Sequence, residues 1–416
     1  MKKENFFDSI YIVIILFLFQ IYFGILPGWK KITSDFPNYY VSSKLLSEHK
    51  DVSALYNNDL FNRKIKEYGI DAEGQFALYP PPDALLFLPL TPFEPLTAKR
   101  TWLIVNIFLI IACGFLIKEI TQWNFISSIN VVFLTGFALA NDLFLGQVYL
   151  FCTVLLLTGY LFLKRNKNSF ASLSWGVVMA LKYLPVIFLP VLLVKRKWKM
   201  ISATLAIFVA IHLVCISFFG IEGYTKFFNN IFISHIKGNL YEGKPYSIKY
   251  QSWESLLNNL FIYDVHVNPH PVFNFPAGKA ILKFLIYASV LSTLIFFYVK
   301  TKNSTYFIEI IISISVISLL VFEPGSATYH NLFLILPFIL IMKFLIPAHP
   351  LSHLYFSILF LLIGFLPSFL NKFDLFNGGN IFLSYNRLWL EMIFYFYSIY
   401  LIYDFSRKNS GEVSPG

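Results

Sequence analysis

Apolar runs alternate with short polar and basic segments along almost the whole chain. A membrane-spanning helix needs about 20 apolar residues, with a tolerance of a few when the helix is tilted or kinked. Ten runs meet this requirement and predict spans at 9–26, 100–117, 126–141, 148–163, 200–219, 278–299, 305–322, 331–346, 353–370 and 385–404. The first run has no small-residue cleavage pattern at its end, so we expect it to be a retained helix rather than a signal peptide.

One further apolar stretch, from 169 to 194, decides the topology. Basic clusters flank it at 164–167 and 195–199, and a single span would place them on opposite sides of the membrane. Cytoplasmic loops carry the excess of Lys and Arg. Lys182 and Pro185 lie near its middle, and proline interrupts a helix. We therefore predict two short helices, 169–181 and 184–194, which meet near the outer surface and bring the total to about twelve segments with both termini cytoplasmic.

Composition supports an all-α polytopic membrane protein. Of 416 residues, 57% are hydrophobic and 13% are charged, whereas soluble domains carry about 25% charged residues. This excludes a soluble enzyme, a disordered regulator and a secreted disulfide scaffold. The net charge of +10 comes from clusters between apolar runs, which indicates membrane topology rather than nucleic-acid binding. Without an internal repeat, we predict one membrane domain over 1–416, with long outer loops at 28–97 and 220–277 that bear short helices.

Asp35 is the first candidate for chemistry. It lies just after the first span, within the aromatic segment 34–40. A carboxylate at the end of a membrane helix is partly desolvated, and this is a setting in which a general base can be tuned. The alternative is a helix N-cap, because Asp before a helical run that starts at Phe36, with Pro37 in its first turn, is a common cap.

Lys182 and His330 are the next candidates. A lysine within an apolar run is rare and usually faces a cavity or a partner, so Lys182 could hold a phosphate as a point charge; it could also extend to the lipid headgroups. His330 lies in the polar segment 323–331, which interrupts two apolar runs. Its ring can donate, accept or carry a proton, or it can be a satisfied interfacial histidine.

Amides and aromatic groups at the same outer side could bind sugars. Gln147 follows Gly146 between two spans, where a plain turn is the alternative, and the segment 250–254 contains Gln251 and Trp253, which could instead anchor a loop at the headgroups. The chain has no Walker A loop, no Gly-rich dinucleotide motif and no HExxH pair. We therefore expect a lipid-linked donor and neither a cofactor nor a metal ion.

Taken in order, these segments resemble glycosyltransferase family 87 of the GT-C superfamily, which includes polyprenyl-phosphate-mannose-dependent mannosyltransferases of bacteria. The resemblance covers residues 34–337 and rests on Ser34-Asp35-Phe36-Pro37-Asn38-Tyr39-Tyr40, Leu55-Tyr56, Tyr79-Pro80-Pro81, Gly146-Gln147-Val148, Leu181-Lys182-Tyr183-Leu184-Pro185, Gln251-Ser252, Tyr329-His330 and Leu336-Pro337. Family members often carry two adjacent histidines at the late position, where this chain has Tyr329 and His330.

The resemblance implies a GT-C-type bundle that transfers a hexose, foremost mannose, from a polyprenyl-phosphate donor to a lipid or glycan acceptor. It places an acidic base at Asp35 and a late histidine at His330. We expect direct displacement with inversion on the outer face of a bacterial inner membrane. The other expected binding groups are Lys182 and Arg387 for phosphate and Gln147, Gln251, Trp253, Tyr39, Tyr79 and Glu323 for substrate. The alternatives are a pentose or aminopentose donor, a transporter of a lipid-linked saccharide, and an assembly subunit.

Overall fold

The computed structural model describes residues 8–33, 35–48, 55–76, 79–182, 184–233, 245–346, 350–372 and 381–409. The described part of the chain is 81% helical and contains no strand. Its one pairing of extended residues is an isolated bridge between Asp264 and Asn268. The all-helical membrane class predicted from the apolar runs is therefore confirmed.

Six helices in the described part are long and apolar enough to cross a membrane, and a bent pair raises the number to seven. The predicted count of about twelve spans is not confirmed, because several apolar runs form helices too short to cross alone, such as Leu189–Val194 and Ile335–Leu340. The six candidates are Ile10–Lys30, Pro95–Thr121, Trp198–Asn229, Pro276–Thr301, Thr328–Leu345 and Leu351–Ser368, and the bent pair is Phe125–Leu134 with Phe137–Leu145.

The chain divides into two compact units, Met1–Lys237 and Gly238–Gly416. The first unit contains the whole of the predicted loop 28–97, in which the structure forms the helices Phe36–Ser47, Asn58–Glu67 and Pro82–Leu86. Pro37 and Pro82 stand in the first turns of their helices, where a missing N–H costs no hydrogen bond.

Helices in the first unit pack closely where one partner offers glycine. Asn168–Lys182 packs on Tyr149–Lys164 and on Trp198–Lys226. A Cβ at Gly159 would lie 2.2 Å from the Trp175 ring, so only glycine admits this ring. Small residues allow such close approach between membrane helices. The helix Asn168–Lys182 ends at the predicted break and is followed by a 3₁₀ turn, Leu184–Phe188, and by Leu189–Val194.

In the second unit, the short helix Trp253–Phe261 packs on Pro276–Thr301. Its apolar face joins Tyr385 and Leu388 in a buried cluster. The C-terminal helix Asn386–Asn409 also packs against Phe307–Phe322 and Pro350–Lys372. These contacts bring the segment Glu323–Asn331 beside the start of the C-terminal helix.

Candidate active site

The carboxylate of Asp35 is held by a distant amide and not by the helix that it precedes. Asp35 stands at the N-cap position of Phe36–Ser47, but its side chain makes no capping hydrogen bond. Instead Gln147 Nε2 donates to Asp35 Oδ2 at 2.7 Å. Asp35 is partly exposed, whereas the first turns of the helix behind it are buried. The cap interpretation therefore does not explain this carboxylate, and a role in proton transfer stays open to it.

Gln147 has its carboxamide fixed by three side chains. Its Oε1 accepts from the Tyr39 hydroxyl at 2.5 Å, and its Nε2 also donates to the Tyr79 hydroxyl at 3.2 Å. A tyrosine that donates to Oε1 defines which end of the amide points at Asp35. Gln147 is completely buried. The structure thus gives this amide a role in orienting Asp35, beside the sugar-binding role predicted for it.

The two tyrosines of this cluster, Tyr39 and Tyr79, pack against each other beside Gln147. Their rings meet edge to face with centroids 4.8 Å apart. Burial raises the pKa of Tyr79 well above its ordinary value, and the charge of Asp35 acts in the same direction. Tyr79 is therefore a neutral phenol at physiological pH, able to share its hydroxyl hydrogen bonds but not to act as an anion.

Lys182 lies in the same unit and has a carboxylate partner. Its Nζ donates to Asp83 Oδ2 at 3.0 Å, and its ammonium lies 4.9 Å from the ring centroid of Tyr79 and 5.1 Å from that of Tyr149. Burial raises the pKa of Asp83 to about 6, although the positive charge of Lys182 opposes the rise. The ammonium of Lys182 is therefore enclosed by the Asp83 carboxylate and two tyrosine rings, and a bound phosphate would compete with Asp83 for it.

In the second unit, His330 is paired with Glu323. Its Nδ1 contacts Glu323 Oε1, and both side chains are partly exposed. The His330 ring also lies against the ring of Tyr329, with centroids 5.1 Å apart. Pairing at Nδ1 fixes the orientation of an imidazole and leaves Nε2 on the other side of the ring. Two residues of the predicted site are thus brought into one pair.

Arg387 holds the segment that precedes His330. Its Nη1 donates to Thr328 Oγ1 at 2.8 Å, Nη2 donates to the Ser326 carbonyl, and Nε lies 3.5 Å from Glu391 Oε1. Arg387 and Glu391 are both 2% exposed. Asn331 Nδ2 donates to the same Glu391 oxygen at 2.9 Å. The guanidinium predicted to bind phosphate is therefore engaged in a buried frame around His330.

Gln251 and Trp253 lie beside this frame. The amide of Gln251 donates to the Ser384 carbonyl at 2.7 Å and accepts from Arg387 N at 3.1 Å, so it ties the loop before Trp253–Phe261 to the C-terminal helix. Trp253 meets Trp389 edge to face at 5.7 Å. Its Nε1 is buried without a hydrogen-bond partner. Trp253 therefore retains a donor, whereas the Gln251 amide is used by the protein.

The structure brings the predicted residues together in two clusters, one in each unit. Five lie in the first unit and five in the second: Asp35, Tyr39, Tyr79, Gln147 and Lys182, and then Gln251, Trp253, Glu323, His330 and Arg387. Across the described ranges, no group of three His, Cys, Asp or Glu side chains could hold a metal ion.

Sequence reasoning missed the partners of these residues. In the first unit they are Asp83, Lys99 and Asp142, which are completely buried, and in the second Glu391 and Asn331, which are nearly so. Lys99, Asp142 and Glu391 fall within or at the edge of predicted spans. Because ionisable residues in such runs are rare and usually paired, their position is the signal that could have identified them.

Comparison with known proteins gives one result of substance. The model of glycosyltransferase family 87 matches residues 77–322, which is more than half of the chain and includes Tyr79, Gln147, Lys182 and Gln251. Asp35 precedes the matched range, and His330 and Arg387 follow it. No curated protein matches the sequence.

Proposed function

Because the chain belongs to glycosyltransferase family 87, a GT-C type of membrane glycosyltransferase, we propose that it transfers a hexose, foremost mannose, from a polyprenyl-phosphate donor. The acceptor is a lipid or a glycan on the outer face of a bacterial inner membrane. The observation that carries the proposal is the hydrogen bond from Gln147 to Asp35. It connects the family-matched region to the candidate base in front of it.

Asp35 is the proposed base. It takes the proton of the acceptor hydroxyl, and that oxygen attacks the anomeric carbon of the donor sugar while the bond from this carbon to the phosphate oxygen breaks. Polyprenyl phosphate leaves with the electron pair, and the proton stays on Asp35. A single displacement inverts the anomeric centre, and it needs one base rather than the two carboxylates of typical glycoside hydrolases.

The leaving phosphate needs positive charge, since it departs as an anion. Lys182 is the proposed cation in the first unit, with Asp83 as the carboxylate that its ammonium contacts in the absence of substrate. Within the first unit we also propose Tyr39, Tyr79 and Gln147 as groups that orient substrate. Within the second unit we propose His330 and Arg387 as groups that bind phosphate, and Gln251, Trp253 and Glu323 as groups that orient substrate. The reaction that we propose includes no cofactor and no metal ion.

Transfer of labelled sugar tests the proposal directly. The protein in lipid nanodiscs is mixed with synthetic polyprenyl-phosphate donors that carry mannose, glucose or a pentose, together with a crude lipid and glycan extract as acceptor. Asp35→Asn is the test variant. Asp59→Asn is its matched control, because Asp59 is an exposed aspartate of the same predicted outer loop.

Transfer of mannose that disappears in Asp35→Asn and persists in Asp59→Asn supports both the donor and the base. Transfer from the pentose donor alone contradicts the hexose assignment. Turnover that survives in Asp35→Asn removes the base assignment while it retains the enzyme. If no donor is used and none is bound, the proposal is wrong and a transport or assembly role replaces it.

A further inference from the structure

The turn that carries Gln147 has a backbone that only glycine adopts without strain. It joins the helices Phe137–Leu145 and Tyr149–Lys164, and Gly146 has φ +74°. A Cβ at this position would lie 2.5 Å from Lys99 Nζ and 3.0 Å from the Phe36 ring. The glycine is therefore required both by its left-handed conformation and by the close approach of Lys99.

Lys99 and Trp102 hold this turn from one face of the helix Pro95–Thr121. Lys99 Nζ donates to the Phe144 carbonyl at 2.8 Å, and Trp102 Nε1 donates to the Gln147 carbonyl at 3.0 Å. Residues three apart lie on the same side of a helix. The two hydrogen bonds thus fix the backbone on both sides of Gly146, and with it the start of the Gln147 side chain.

The positive charge of Lys99 also faces two carboxylates. Asp35 and Asp142 both lie within electrostatic range of its ammonium. Asp142 Oδ1 accepts from the backbone N–H groups of Tyr149 and Leu150, so this carboxylate caps the helix that follows the turn. The other charged or titratable groups that surround the cluster are Tyr39, Tyr79, Asp83, Tyr149, Cys152 and Lys182.

A purely structural lysine could account for the bond to the Phe144 carbonyl, since cations commonly satisfy the last carbonyls of a helix. It would not account for complete burial, because a buried ammonium is costly unless other groups compensate its charge. Lys99 is 0% exposed, and the negative charges of Asp142 and of the proposed base offset part of this cost. The position of Lys99 is therefore tied to Asp35.

We propose that Lys99 is a positioning residue for the transfer reaction. It fixes the Gly146–Gln147 turn so that Gln147 holds Asp35, and its positive charge favours the ionised form of the Asp35 carboxylate. This inference rests on the proposed function, since it assigns Lys99 a role through Asp35. Lys99 need not touch substrate. Its effect is expected on turnover and on pH dependence rather than on donor affinity.

The test uses Lys99→Met, Lys99→Arg and the control Lys118→Met, all in nanodiscs with a donor that the wild type uses. Lys118 is an exposed lysine of the same helix. Removing a hydrogen bond to a charged group is expected to lower kcat about 10- to 100-fold, with KM for the donor changed less. The acidic limb of the activity profile is expected to move upward by up to about one pH unit, because a cation that favours the ionised base is lost.

Lys99→Arg retains the charge and should recover part of the turnover and the position of the acidic limb. A role limited to packing would lower the yield or the Tm of Lys99→Met and leave the acidic limb in place, and that result overturns the proposal. If Lys99→Met does not fold, Trp102→Phe keeps the ring and removes the donor to Gln147. A lowered kcat with unchanged KM then supports the role of these hydrogen bonds in fixing the Gly146–Gln147 turn, and a wild-type kcat contradicts it.

Hydrogen exchange supplies a readout that does not depend on catalysis. Backbone amides in the segment 142–150 should exchange faster in Lys99→Met than in Lys118→Met. Equal exchange rates would contradict the proposal that Lys99 fixes this turn. A wild type that transfers no sugar contradicts the proposed function. A wild type that transfers sugar, with Lys99→Met and Lys118→Met alike in kcat and pH profile, contradicts this inference alone.

Discussion

The two clusters hold their central residues in opposite ways. In the first unit Asp35 is bound by the neutral amide of Gln147, and the ion pair of Lys182 with Asp83 lies against the tyrosine rings that contact this amide. In the second unit His330 is paired directly with the carboxylate of Glu323. The buried Arg387 donates a hydrogen bond to the backbone of the segment that precedes His330. The first cluster thus orients its carboxylate through a neutral amide, with Lys99 as a nearby cation, whereas the second sets an imidazole directly against a carboxylate. We therefore expect the first cluster to depend on hydrogen-bond geometry and the second on charged groups.

The largest effect is expected from a variant that breaks the buried frame of Arg387 and Glu391 in the second cluster. Arg387→Met leaves the buried Glu391 without its cation, and removal of one member of a buried ion pair costs about 3–5 kcal/mol. We expect a much lower Tm in thermal unfolding of the nanodisc-embedded protein. The double variant Arg387→Met with Glu391→Leu removes both charges and should recover much of the loss. If the single and double variants unfold alike, the ion pair is not what stabilises this frame.

The next prediction concerns the ion pair of the first cluster and its pH dependence. Burial raises the pKa of Asp83 to about 6 from an ordinary value near 3.8, so the folded protein holds a proton there more tightly than the unfolded chain does. Asp83 therefore contributes most stability at low pH, and the contribution falls as the pH rises from about 4 to 6. The pKa difference between the folded and unfolded states corresponds to a change of about 3 kcal/mol in the free energy of unfolding.

The comparison of wild type with Asp83→Asn measures this contribution, because the asparagine does not titrate. The Tm of the wild type relative to the variant should decrease between pH 4 and pH 7. A difference that stays constant, or that grows with pH, would show that the Lys182 charge outweighs burial at Asp83.

A third prediction tests the direct pairing of the second cluster. Glu323→Gln replaces the carboxylate at Nδ1 of His330 with a neutral amide of the same shape. A hydrogen bond to a charged group is worth about 1.5–3 kcal/mol, so we expect sugar transfer to fall about 10- to 100-fold. Glu222→Gln is the control, since Glu222 is an exposed glutamate that pairs with Lys226 in a helix of the first unit. Equal rates in both variants would remove Glu323 from the site.

Sequence reasoning reached the individual residues of both clusters more readily than their partners. Charge within an apolar run identified Lys182, and proline predicted the helix end beside it, because both signals are local. The partner Asp83 lies 99 residues earlier and Gln147 lies 112 residues from Asp35. Such pairings depend on how helices pack, which no local pattern encodes. The span count failed for a related reason: apolar character does not say whether a run forms one long helix or a short one such as Leu189–Val194.

The smallest effect is expected from a variant that separates the orientation of the Gln147 amide from side-chain packing in the first cluster. Tyr39→Phe keeps the ring and removes the hydroxyl that donates to Gln147 Oε1, so the amide can turn away from Asp35. One neutral hydrogen bond contributes about 0.5–1.5 kcal/mol, and transfer should fall about 2- to 10-fold. Tyr40→Phe is a closely matched control, because the neighbouring hydroxyl donates to the Phe93 carbonyl and not to Gln147. If both variants lose the same activity, the loss reflects packing of the helix Phe36–Ser47. If only Tyr39→Phe is slowed, the neutral hydrogen-bond chain from Tyr39 through Gln147 to Asp35 is what distinguishes the first cluster from the second.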